Sequence, residues 1–211
     1  MGALLIFNCE KINMKEIYYV TTNSYKYKIA VSIFKDNGLD KIIKLNRLNI
    51  SCPEIQDEKV ENIALYSARW AAKKTGKTVI TSDSGFSIVA LKNFPGPFVK
   101  YINNWLSPKD IISLLKNKSN KKAFFIDALA YADQSGNEKV FCSRTYGQII
   151  EKYIDNGCTE KSGGWSVDSI FIPRGFTKVI SKLNNSDKLK VWNISRWLKF
   201  KNYIKKNEKT T

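Results

Sequence analysis

With 211 residues, 43% hydrophobic and 26% charged, the chain can close a sizeable core as one domain or one domain of two lobes. No stretch reaches the roughly eighteen apolar residues a membrane span needs, and the opening MGALLIF lacks the basic flank of a secretory signal, so the expectation is a cytoplasmic protein with no membrane partner. The absence of histidine excludes Ser-His and Cys-His nucleophiles, HExxH zinc sites and imidazole bases, while the net charge of +16 calls for an anionic partner.

Along the chain, residues 16–22 are β-branched and aromatic and predict a first strand. Asn23 is placed to cap a helix running through KYKIAVSIFKD to Asn37-Gly38. KIIKLNRLNI (41–50) predicts a second strand, broken at Cys52-Pro53. From Asp57 to Thr75, Val60, Ile63, Ala64, Ser67, Ala68 and Ala71 recur at helical spacing, and Gly76 ends the run. TVITSD (78–83) predicts a short buried strand and SDSG (82–85) a tight turn; after FSIVAL, Asn93-Phe94-Pro95-Gly96-Pro97 forces another. A helix near 108–117, strands at 122–132 and 138–150, a short strand at 167–172 and one last helix over 186–204 follow. The mixture of helices and strands, without repeat or linker, predicts a single α/β or α+β domain over 16–205. Residues 1–15 stand apart as an N-terminal extension and 206–211 as a basic tail. The four cysteines (Cys9, Cys52, Cys142, Cys158) are far apart, with no CxxC, and are expected as buried reduced thiols.

Arginine accounts for five of the 35 basic residues (Arg47, Arg69, Arg144, Arg174, Arg196), leaving 35 − 5 = 30 lysines. Base-reading surfaces favour the Arg fork, whereas Lys is a point charge toward phosphate, so a basic funnel for a small polyanion is favoured over nucleic acid. Four constellations fit that use. TTNSYK sets Thr21, Thr22, Asn23 and Ser24 at a helix N-terminus, with Lys26 one turn in, as a phosphate site requires; a plain capped helix uses the same residues, and the glycines of a Walker A loop are missing. Glu54 in CPEIQ and Asp83 in TSDSG are carboxylates at strand ends, an all-oxygen pair suited to Mg²⁺ on a triphosphate, and Asp83 can polarise the attacking water. The Pro-Gly-Pro turn of GPFVK (96–100) aims Lys100. In GGWSVDSIF (163–171), Trp165 can stack on a base and Asp168 can accept from base or ribose; a core Trp and a turn Asp are the alternative.

The order and spacing of these segments resemble the inosine triphosphate pyrophosphatase family from about residue 16 to 202. TTNSYK resembles its TGN-x-x-K loop, and PEIQ followed by Glu61 resembles its PEYQG…E segment. TSDSGFSIVALKNFPGPFVKYI resembles its EDTGL…AL-x-G-x-PGPY-x-K-x-F stretch; GWSVDSIFIP resembles FG[YW]DP-x-F-x-P, and DKLKVWN falls where EKN-x-[IV]SHR is expected. The resemblance implies an α/β fold: a long twisted mixed β-sheet flanked by helices, with two lobes and a nucleotide-binding cleft between them. It implies hydrolysis of purine nucleoside triphosphates such as ITP, dITP and XTP to monophosphate and pyrophosphate, by a homodimer. Glu54 and Asp83 would serve Mg²⁺, with Asp83 also the proton acceptor. Thr21, Thr22, Asn23, Ser24, Lys26, Ser84, Lys100 and Lys188 would bind phosphates, and Trp165, Ser166, Val167 and Asp168 would lie near base and sugar.

The pattern also departs from the family. Thr22 replaces the loop Gly, Ser82 the acid before Asp83, and Tyr66 a usual Lys; Trp192-Asn193-Ile194 replaces the SHR that reads the purine 6-keto group. Asn193 retains a donor and Ile194 does not, which shifts base choice by on the order of a few kcal/mol. Arg196, two residues on, is expected on another face of the 186–204 helix. Two other readings stay open: a catalytically weakened nucleotide-binding homologue, and a Lys-rich nucleic-acid-binding protein.

Overall fold

The computed structural model describes residues 14–153 and 165–208; the expected extension through Asn13, Cys9, Cys158, Gly163, Gly164 and the end of the basic tail lie outside them. The strands are β1 (Lys15–Val20), β2 (Ile43–Leu48), β3 (Val79–Ile88), β4 (Pro95–Gly96), β5 (Lys122–Ala132), β6 (Glu138–Ile149) and β7 (Phe171–Pro173). They form one sheet in the order β2-β1-β3-β5-β6-β7, with β4 beside β3. The β2-β1-β3 part is parallel, and from β3 onward every pairing is antiparallel. The helices are α1 (Ser24–Asp36), α2 (Val60–Thr75), α3 (Val99–Trp105), α4 (Pro108–Ser113), α5 (Asn185–Val191) and α6 (Ser195–Glu208). The mixed sheet flanked by helices is the expected architecture.

Successive strand residues face opposite sides of a sheet, so β3 divides its residues between two layers. Its odd-numbered positions face α2, whose buried Ala64, Ala68, Ala71 and Ala72 let the helix lie close over Val79, Ile126, Ala128 and Ala130. Thr81 Oγ1 donates to the Ala64 carbonyl at 2.6 Å across that contact. Gly76, at φ 61°, ends α2 as a left-handed cap.

The opposite face carries two separate apolar clusters. One packs α1 and α6 over Ile17, Tyr19, Ile80, Leu129, Tyr131 and Phe141, with Phe34, Trp197 and Phe200 at its centre. The other gathers Phe86, Ile88, Phe125 and Phe171 with Val99, Ile111, Val167 and Val191. Phe125 meets Phe86 at 4.7 Å and Phe171 at 5.3 Å between ring centroids, contacts that add about 1 kcal/mol each beyond the buried area. Between the clusters the alternation puts Ser82, Ser84, Asp127, Ser143 and Thr145, a polar band across the sheet.

Three expectations are corrected. SDSG is not a turn: β3 runs without interruption through Ser82–Gly85, each residue paired with β5. These turn-forming residues sit in a strand because the band and the cleft edge need polar side chains, and because Gly85 lies under another backbone. A Cβ there would stand 2.9 Å from the Gly96 carbonyl oxygen and 3.0 Å from Val60 Cγ1. The last helix is two, α5 and α6, with Trp192-Asn193-Ile194 between them. The 167–172 strand is a 3-10 turn at Ser166–Ser169 followed by the shorter β7, and residues 99–105, expected as turn, form α3.

β3 also has a break along its outer edge. β1 accompanies it only at Val79 and Ile80, and β4 joins it only at Phe86 and Ser87. Among the described residues no strand covers Thr81–Gly85 on that side, and Asp83 lies midway along the opening.

Candidate active site

The break is ringed by charged side chains from four segments. The β1–α1 connection enters first, capped by Asn23, whose Oδ1 accepts from the Tyr25 and Lys26 amides at 2.9 and 3.1 Å. Arg47 at the end of β2 holds this turn: its Nε donates to the Thr21 carbonyl at 3.1 Å and its Nη2 to that of Thr22 at 2.5 Å. Arg47 is a residue that sequence reasoning missed, since its role exists only through the β1–β2 pairing. Thr22, Asn23 and Ser24 are exposed, leaving the helix terminus open to solvent.

Asp83 is half-buried at the break. Burial raises its carboxyl above the ordinary value; the Lys26 charge and the Ser84 amide pull it down, and the Glu54 and Asp127 carboxylates push it up. Asp83 thus lies within electrostatic reach of Lys26 and Glu54, side chains that precede or begin different helices. Glu54 is paired with Lys100 of α3 at 3.7 Å, both largely exposed, so the pair adds little stability and marks position instead. Glu61 lies on the same side of the sheet, over Cys142 of β6. Burial, reinforced by Glu61, pushes that thiol up to about 11; Cys142 and Cys52 are free and half-buried, as expected of reduced cysteines.

A second group lies at the far cluster. The Asp168 carboxylate accepts from the Trp165 amide at 3.1 Å. Burial raises Asp168 to about 6, against the opposing pull of that amide and of Lys188 on α5. Lys188 and Asp168 are therefore neighbours, as the sequence implied. The Ser166 amide donates to Asn103 Oδ1, so α3 touches this loop with Asn103 and the Glu54 region with Lys100. Val167 is a correction to the expected ligand set: its side chain is buried in the apolar cluster, and packing explains it fully.

The segment replacing SHR is a strap between the two clusters. Trp192 packs edge-on against Phe125 at 5.2 Å, and Ile194 packs against the α1–α6 core. Asn193 is occupied by the protein: its amide N–H bonds Thr145 Oγ1 and its Nδ2 the Arg144 carbonyl, both at 3.1 Å, and its Oδ1 accepts from the Ser195 amide at 2.9 Å. The geometry also corrects the expectation for Arg196. Because the strap interrupts the helix, Arg196 starts a new one and turns into the polar band. Its Nη1 donates to Ser143 Oγ at 2.8 Å and meets Asp127 Oδ2 at 3.3 Å. Ser84, expected at phosphate, instead donates to Asp127 Oδ1 at 2.7 Å on the side away from Asp83. Asp127 and Arg196 were both missed as a pair, because they lie 69 residues apart.

The mixed sheet, its interrupted edge and the carboxylates and lysines gathered there define an α/β protein of the nucleotide-cleft type. The model of the Ham1 family matches residues 17–196, and the chain belongs to that family. It is 32% identical to the dITP/XTP pyrophosphatase of Thermococcus kodakarensis over 192 residues, covering 90% of this chain and 98% of that one. The dITP/XTP pyrophosphatase of Methanopyrus kandleri is also 32% identical, over 91% and 97% of the two chains. Among solved structures, the Staphylococcus aureus Ham1 protein shares the fold with a TM-score of 0.72 at 21% identity, over 92% of this chain and all (100%) of that one.

Proposed function

We propose that the chain hydrolyses purine nucleoside triphosphates such as ITP, dITP and XTP to the monophosphate and pyrophosphate. The observation that carries this reading is the gathering of Asp83, Glu54, Lys26 and Lys100 at one break in the sheet edge, in a chain similar to dITP/XTP pyrophosphatases. Asp83 accepts a proton from water as the water oxygen bonds the α-phosphorus, and the bond from that phosphorus to the bridging oxygen breaks. The raised Asp83 carboxyl makes it a better proton acceptor than a surface carboxylate. Lys26, Lys100 and the open amides at the start of α1 face the charge of the departing pyrophosphate. Asp168 and Trp165 border the sugar and base.

Glu54 and Asp83 fit a magnesium ion. They offer only oxygen, and Mg²⁺ is ordinarily held by one or two carboxylates plus substrate phosphates and water. This agrees with the absence of any cluster of three metal-binding side chains among the described residues. When bound with substrate, Mg²⁺ would neutralise phosphate charge. A homodimer acting in the cytoplasm belongs to the same reading, and light scattering checks the dimer; no helix among the described residues is long and apolar enough to cross a membrane.

The test is a panel of ITP, dITP, XTP, GTP and ATP with Mg²⁺. Pyrophosphate release from the first three at least tenfold faster than from ATP is expected. Nucleotide binding without release from any of them would leave only the binding-protein reading.

A further inference from the structure

We infer that Asp127 is the positioning residue for base choice: it holds Arg196 in the polar band so that the guanidinium reads a 6-oxopurine. The inference rests on the pyrophosphohydrolase reading and assigns the specificity of the same cleft.

Three observations carry it. Asp127 and Arg196 form an ion pair with side chains only 13% and 14% exposed, between the two apolar clusters. The Asp127 carboxylate is divided between two partners: Oδ1 accepts from Ser84, next to Asp83, and Oδ2 meets Arg196. Arg196 in turn donates to Ser143 Oγ and the Asn193 carbonyl, yet its Nε is buried without a partner among the described residues. A buried, unpaired guanidinium donor is costly unless something accepts from it.

Arginine pairs with the O6 and N7 acceptors of an oxopurine, whereas adenine presents a donor at position 6. With Asn193 spent on the backbone and Ile194 in the core, Arg196 is the cationic side chain the strap delivers to this band. A free arginine beside a triphosphate would swing to the phosphates and bind any nucleotide. Asp127 opposes that by neutralising the guanidinium and fixing its direction, which preorganises the donor. A purely structural role, pinning α6 to the sheet, predicts changes in melting temperature without changes in base preference.

The experiment compares wild type, Asp127→Asn, Asp127→Ala, Arg196→Ala and the Asp127→Ala/Arg196→Ala pair, with ITP and ATP and Mg²⁺. Asp127→Asn keeps a group of the same shape facing Ser84 and removes the charge, so it serves where the alanine variant fails to fold. A fall of about tenfold or more in the ITP-to-ATP ratio of kcat/KM is expected in each single variant, carried by KM, with kcat for ITP changed less than about threefold. The double variant should fall no further than either single one. Binding of IMP and AMP by calorimetry, without metal, reads the same preference independently of turnover. If wild type turns over nothing, loss of the IMP preference in the variants still supports the positioning role. An unchanged preference in both Asp127 variants, or additive effects in the pair, overturns it.

Discussion

The two ends of the cleft are built differently. At the break in β3 the charged groups stand on, or one turn from, regular elements: Asp83 within a ten-residue strand and Lys26 in the first turn of α1. At the purine end, Trp165–Asp168 lies in a 3-10 turn and Asn193 in a three-residue strap between helices. The first end keeps the residues that the family resemblance leads one to expect, and the second has exchanged them. Groups fixed by a sheet cannot move without moving the sheet, whereas a strap can trade its side chains if a neighbour supplies the lost donor. Chemistry at the edge and selectivity at the strap should therefore respond differently to mutation.

The sharpest break of that contrast is at Asp83. Asp83→Asn should lower kcat by about a thousandfold or more while leaving the melting temperature equal or higher, since a carboxylate raised by burial is destabilising when charged; near-normal turnover would remove Asp83 from its role. Glu54→Gln comes next, with kcat/KM lowered about a hundredfold at fixed Mg²⁺ and partly restored by raising Mg²⁺, followed by a metal titration. A loss that no Mg²⁺ concentration changes would put Glu54 outside the metal site. Gly85→Ala tests the edge as a scaffold. The clash with Gly96 should cost about 1–3 kcal/mol and displace the β4 segment that leads to Lys100, and thermal unfolding with kinetics would show both effects.

The smallest effect belongs to the purine end and depends on pH. Asp168 is raised to about 6, so the folded state holds its proton more tightly than the unfolded chain does. That contribution is complete below the ordinary carboxylate range and is lost as pH rises toward 6. Asp168→Asn should therefore match wild type near pH 4 and melt ~3 °C higher at pH 7, in parallel scans across that range. An equal difference at both pH values would deny the burial.

Much of this was legible in the sequence. Hydrophobic periodicity located α2 and the β5–β6 pair, and Asn23 and Gly76 marked a helix start and a helix stop. Local chemistry misled at Ser82–Gly85, where turn-forming residues sit in a strand because a cleft edge needs polar side chains and a close backbone crossing needs glycine. It misled again at 192–194, where no proline or glycine interrupts the helix; the stop comes from Trp192 and Ile194 packing into different clusters. Arg47 and Asp127 were out of reach because their partners are set by strand register, a long-range quantity. The Arg196 direction failed for the same reason as the helix break.

Hydrolysis of ITP in oxygen-18 water with Mg²⁺, followed by mass spectrometry of both products, tests the central claim most directly. Attack by water at the α-phosphorus places one labelled oxygen in IMP and none in pyrophosphate. Label in pyrophosphate, or release of orthophosphate in its place, would contradict it.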